Sequence, residues 1–151
     1  MNRKLLQSVR EYKKESILAP IFVILEVFME VLIPYQMAKI IDDGIQLGNL
    51  SYIVKVGISL VIMAMLALLF GVIAGRLAAV AGAGYAKNLR HDIFYKIQEF
   101  SFKNIDHFST SGLVTRLTTD ITNVQMAYMF SIRLLARAPI MIILSLIMTV
   151  A

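Results

Sequence analysis

Three stretches of this chain, residues 17–41, 52–86 and 138–151, are almost wholly apolar, and polar, mostly basic segments precede or separate them. The first run is about 25 residues or roughly 37 Å as a helix, enough to cross a hydrocarbon core of about 30 Å with some tilt. Ser16 suits its N-cap, Pro20 its first turn, and Asp42, Asp43 and Gly44 its end. In the second run, Lys55 to Lys87 measures about 48 Å as a helix, so the helix has to project beyond the bilayer. Leu89, Ile93, Ile97 and Phe100 continue the helical period, with Arg90, Lys96 and Glu99 off that stripe. Asn104 can cap a short helix through Ile105, Asp106, His107 and Phe108, and 109–112 supplies a break before Leu113, Leu117, Ile121 and Val124 restart the period. Arg116 and Asp120, four apart, suit a contact within or between helices. Arg133 and Arg137 read as the last basic markers before 138–151, a run of about 21 Å that is short for a crossing.

These patterns predict an all-α membrane protein whose long transmembrane helices extend into water. Its parts are an interfacial N-terminal helix at 1–16, a first transmembrane helix at 17–41, and a second with its extension at 52–103. A short helix at 104–111 and a third long helix at 112–151, cut off inside the membrane, follow. The expectation is that the 151 residues belong to something longer.

Composition agrees with that class: 58% of residues are hydrophobic, 17% are charged, and the mean hydropathy is +0.74. The net charge of +5 would suit nucleic acid if the basic residues shared one face, but they cluster beside apolar blocks, where they act as topology signals. The N-terminus and the 87–116 region are rich in Lys and Arg, whereas 42–50 holds only acids. The positive-inside rule therefore predicts a cytoplasmic N-terminus and central stretch, and an external 42–50 loop. In the leader, Leu5, Leu6, Val9 and Tyr12 form one helical face and the basic residues the other, a pattern suited to the headgroup level. Cysteine is absent, which excludes disulfides and thiolate metal sites.

Two carboxylates interrupt the first span. Glu26 and Glu30 lie four apart, on one face, and an ionisable group in a membrane is costly unless it looks into protein or a wet cavity. Pro34, one turn further on, should kink the helix. Gly71, Gly75, Ala79 and Gly82 form a small-residue strip permitting close helix packing, and Arg76 within it suits a snorkelling anchor. No G-x-x-x-x-G-K-[ST] phosphate loop occurs, His91 and His107 lack metal-ligand partners at useful spacing, and no base is arranged beside a nucleophile. The expectation is no catalytic centre, no metal and no cofactor in these residues.

The residues also carry a family resemblance. Pro34 with Ile40, Ile41, Asp42, Asp43 and Gly44, then Leu89, Arg90 and 93–95, and above all Gly112, Leu113, Arg116, Leu117 and Asp120, resemble the first part of the transmembrane domain of ABC exporters. Thr115 and Thr119 stand where family members often have serine and asparagine. The details look closest to bacterial multidrug half-transporters, including subunits that pair with a different partner. The resemblance implies that Asn104, Ile105, Asp106, His107 and Phe108 form a coupling helix docking on nucleotide-binding domains. It implies that Gly112, Arg116 and Asp120 are the motif after it, and that the first and second spans line part of the substrate path, with Glu26, Glu30, Pro34 and Arg76 as the candidate residues on it. ATP and Mg would be bound by a nucleotide-binding domain beyond these residues. Partners would be the remaining transmembrane helices, that domain, a second half-transporter and the bilayer of the cell membrane. Two other functions fit the carboxylates or the basic loop less well: a small proton-coupled multidrug carrier using Glu26 or Glu30, and a non-transporting membrane adaptor.

Overall fold

The computed structural model describes residues 8–98 and 110–150. A 3-10 turn at Arg10–Tyr12 leads into α1, Lys13–Lys39, which passes into a π-helical stretch, Ile40–Ile45. Helix α2 spans Leu50–Gln98, α3 spans Thr110–Thr115, a second π-helical stretch covers Arg116–Asp120, and α4 spans Ile121–Val150. Three helical segments are long and apolar enough to cross a membrane: Arg10–Ile45, Leu50–Gln98 and Gly112–Thr149. With its 49 residues, α2 is about 73 Å long, more than twice the hydrocarbon thickness. Large apolar side chains face outward, Leu50 at 72% exposure and Leu135 at 75%, the inverse of a water-soluble bundle. The chain is thus an all-α membrane protein. The proposed coupling residues Asn104, Ile105, Asp106, His107 and Phe108, together with Leu5, Leu6 and Phe100, lie outside the described residues.

Several local expectations are corrected by packing. The first helix begins before Ser16, whose hydroxyl bonds the Tyr12 carbonyl at 2.7 Å from within the helix, so Ser16 is not its N-cap and Pro20 is interior. Nor does the helix stop at Gly44. Its end is a Schellman motif on Gly48, whose φ of +63° suits glycine: Asn49 N–H donates to Gly44 O at 2.9 Å and Gly48 N–H to Ile45 O at 3.2 Å. Asn49 Oδ1 then accepts from Tyr52 N–H at 3.1 Å, capping α2. Gly44 is instead a packing residue, because a Cβ there would lie 2.7 Å from Ile53 Cγ1. Both π-helical stretches fall on motif residues, 40–45 and 116–120.

The chain packs as two compact units. One holds residues 8–17, 77–98 and 110–132. Its core is Val9, Tyr85, Ala86, Leu89 and Ile121, with Ile93, Leu117 and Tyr128 packed on it. Leu89, Ile93, Leu117 and Ile121 are the stripe residues read from the sequence, while Val124 of that stripe is exposed. Arg90 Nε donates to Leu117 O at 3.1 Å, tying the α2 motif to the second π-helical stretch. Tyr85 and Tyr128 stack at 4.5 Å, and the Tyr128 hydroxyl bonds Ser16 Oγ at 2.9 Å. The described part of the leader docks on α2. Asn88 Nδ2 donates to Ser8 O at 2.9 Å, and Ser8 Oγ and Arg10 Nη2 both donate to Asp92, at 3.0 and 2.6 Å.

The other unit holds 18–76 and 133–150. Here α1 and α2 run antiparallel: Gly44, Gln36 and Glu26 meet Ile53, Met63 and Gly71 in turn. Val23, Val27 and Ala74 are its buried centre, with Ala136, Ile140 and Leu144 of α4 packed against them. The small-residue strip is used in part. Gly71, Gly75 and Gly82 face neighbours, Ala79 is exposed, and Ala74, Ala78 and Ala81 are the fully buried alanines of α2.

A Cβ on Gly84 would collide with the Tyr12 ring, whereas one on Gly57 meets nothing. Gly84→Val should therefore lower the thermal unfolding midpoint in detergent, at a cost of about 1–3 kcal/mol. Gly57→Val should leave the midpoint nearly unchanged, and adding Tyr12→Ala to Gly84→Val should recover part of the loss.

Candidate functional site

The polar groups of the second unit converge on one arginine. Arg137, on α4, donates from Nη1 to Glu26 Oε1 at 3.2 Å and from Nη2 to both oxygens of Glu30, at 3.0 and 2.9 Å. The four-residue spacing puts Glu26 and Glu30 on one face of α1, so a single guanidinium spans two successive turns. Such a fork satisfies charge and hydrogen-bond geometry together, which makes the three ions tolerable among apolar helices. Pro34 withholds the N–H that would otherwise bond the Glu30 carbonyl one turn back, and its own ring is exposed.

Beside this cluster lies an open cleft of about 440 Å³, lined on α1 by Glu26, Glu30 and Ile33, on α2 by Ala64, Ala67, Leu68, Gly71 and Val72, and on α4 by Arg133. Glu26 is 9% exposed and its Oε2 has no hydrogen-bond partner. Gly71 forms the floor under this carboxylate, since a Cβ there would stand 2.9 Å from Glu26 Oε1. One turn along α2, a Cβ on Gly75 would lie 4.0 Å from Arg133 Nη1.

Of the four substrate-path residues read from the sequence, Glu26 and Glu30 are together in the cleft, while Pro34 and Arg76 are exposed and do not line it. The sequence presents Arg133 and Arg137 as boundary markers; Arg137 instead sits against two in-span carboxylates, within a continuous 30-residue helix. A signal for this was present: two acids four apart in one apolar run, and two arginines four apart beside another. Gly112, Arg116 and Asp120 lie in or beside the second π-helical stretch and are not among the residues lining the cleft. Among the described residues, no group of three or more His, Asp or Glu is arranged to hold a metal.

Residues 16–151 match the family described as the ABC transporter transmembrane region. The chain is similar to YfiB of Bacillus subtilis, an uncharacterized ABC transporter ATP-binding protein, with 32% identity over 149 residues, 99% of this chain and 26% of the relative. It is similar to the uncharacterized ABC transporter ATP-binding protein Rv1273c of Mycobacterium tuberculosis, with 27% identity over 144 residues, 95% of this chain and 25% of the relative. Putative ABC transporter ATP-binding protein MG014 of Mycoplasma genitalium is 25% identical over 160 residues, 89% of this chain and 26% of its own length. The chain thus spans about a quarter of the relatives it matches.

Removing one partner from a buried ion cluster leaves uncompensated charge, which costs more than removing the whole cluster. Arg137→Gln should destabilise the protein by up to about 3 kcal/mol, read as a lowered unfolding midpoint in detergent. The triple variant Glu26→Gln, Glu30→Gln, Arg137→Gln should be more stable than Arg137→Gln alone.

Proposed function

Because the chain belongs to the ABC transporter transmembrane region family, we propose that it forms the first part of the membrane domain of an ATP-driven exporter of multidrug or lipophilic substrates. In this reading α1, α2 and α4 contribute to the translocation path, and the cleft beside Glu26 and Arg137 faces it. The observation that carries it is the cleft itself: a charged cluster opening among helices otherwise apolar enough to span a membrane. Soluble bundles and lipid-facing helix surfaces have no use for such a feature, whereas a path through the bilayer needs polar groups that remain reachable.

The N-terminus and the α2–α3 connection are cytoplasmic, and the 42–50 turn is external. The distribution of Lys and Arg supports this orientation. Residues 104–108 in that connection are the coupling helix, docking on a nucleotide-binding domain that binds ATP and Mg. The names of these relatives, all ATP-binding proteins, support such a domain in the intact protein. A second half-transporter, identical or different, completes the path in the cell membrane.

Two experiments on the full-length protein test this. With any native cysteines elsewhere replaced, a single cysteine at Gln46 should react with a membrane-impermeant maleimide on intact cells, and one at Thr118 only after permeabilisation. The opposite pattern would reverse the orientation. Asp106→Ala and Phe108→Ala should each reduce substrate-stimulated ATP hydrolysis several-fold while nucleotide affinity stays unchanged; unaltered stimulation would remove the coupling assignment.

A further inference from the structure

The cleft leaves two opposite charges incompletely answered. Both oxygens of Glu30 accept from Arg137, but Glu26 uses only Oε1, and its Oε2 is buried without a donor. No side chain that α2 brings to the cleft can supply one, because Ala64, Ala67, Leu68, Gly71 and Val72 carry no polar atoms. A carboxylate oxygen held this way in apolar surroundings favours an approaching cation. Arg133 also lines the cleft and, among the described residues, forms no ion pair. Its guanidinium lies over Gly75 while the Glu26 carboxylate lies over Gly71, so the two charges stand over neighbouring turns of α2, about 6 Å apart along its axis. Ile33, Leu68 and Val72 are the larger apolar side chains of the lining.

We propose that this cleft selects a zwitterionic amphiphile, with an ammonium group at the Glu26 carboxylate, an anionic group at Arg133, and an alkyl portion along Ile33, Leu68 and Val72. The proposal rests on the cleft being part of the substrate path and narrows the substrate class. A ligand with only a cation leaves Arg133 unanswered, and one with only an anion meets the Glu26 carboxylate. A zwitterion with its charges a few bonds apart satisfies both without adding net charge to the membrane interior. Arg137 takes no direct part, being committed to Glu30 and to Oε1 of Glu26.

The test is equilibrium dialysis of the full-length protein in uncharged maltoside micelles with three probes sharing an octyl chain: octyl phosphoethanolamine, octylammonium and octyl phosphate. The zwitterion should bind about tenfold more tightly than either of the others. Glu26→Gln should bring its affinity down to that of octyl phosphate, Arg133→Gln down to that of octylammonium, and Arg133→Lys should keep most of the preference. Leu68→Trp, which fills the cleft, should abolish saturable binding. Competition by added phosphatidylethanolamine would identify a membrane lipid as the occupant; tight probe binding without competition would identify a non-lipid zwitterion. Octylammonium binding as tightly as the zwitterion and indifferent to Arg133→Gln would overturn the proposal in favour of a plain cation site. Equal affinities of all three probes, all lost in Leu68→Trp, would overturn it while leaving the substrate-path reading intact. Binding insensitive to Leu68→Trp, or none at all, would remove both.

Discussion

Two carboxylates and an arginine share a set of helices that are otherwise built for lipid, and none of the three could stay there alone. An isolated ion in a hydrocarbon environment costs at least about 2.5–3.5 kcal/mol on insertion scales. Arg137 relieves that cost for both acids at once, and in doing so it fixes where α1 and α4 meet: the guanidinium has to reach Glu26 and Glu30 on successive turns. The apolar contacts of Val23 and Val27 with Ala136, Ile140 and Leu144 fill in around that constraint. Hydrophobic burial supplies little discrimination between helix faces when the solvent is itself apolar, so the polar fork carries the register.

Small residues supply the other half of the design. Gly71 makes room for the Glu26 carboxylate, Gly82 for Met129, and Gly84 for the Tyr12 ring. Along α2, glycine admits a charged group in one unit and bulky ones in the other. The same device, backbone exposed at a missing Cβ, thus serves a candidate ligand site and ordinary packing.

Much of this was legible in the chain. Period and run length foretold the long helices, and the spacing of Glu26 and Glu30 foretold their common face. The stripe Leu89, Ile93, Leu117 and Ile121 was also visible, because it depends only on local periodicity. What escaped depended on distant partners. Arg137 looks like a boundary marker because, read linearly, a charge ends an apolar run; only its distance from Glu30 shows it to be inside one. The helix end moved from Gly44 to Gly48 because Asp-Asp-Gly resembles a stop, whereas the glycine that the backbone needs is the one at positive φ. Ser16 failed as a cap for a similar reason: a helix start had already been fixed upstream, where Ser8 and Arg10 anchor to Asn88 and Asp92.

The bridge between α1 and α4 is accessible to direct measurement. Solid-state NMR on the full-length protein in lipid bilayers, with the Arg137 guanidinium nitrogens and the Glu30 carboxylate carbon labelled, reads their separation through dipolar recoupling. A charge-assisted fork in the membrane requires a nitrogen-to-carbon distance of about 4 Å or less. A distance beyond about 6 Å, too long for any hydrogen bond, would mean that the two helices are not joined at this point and that the cleft beside them is not organised by Arg137.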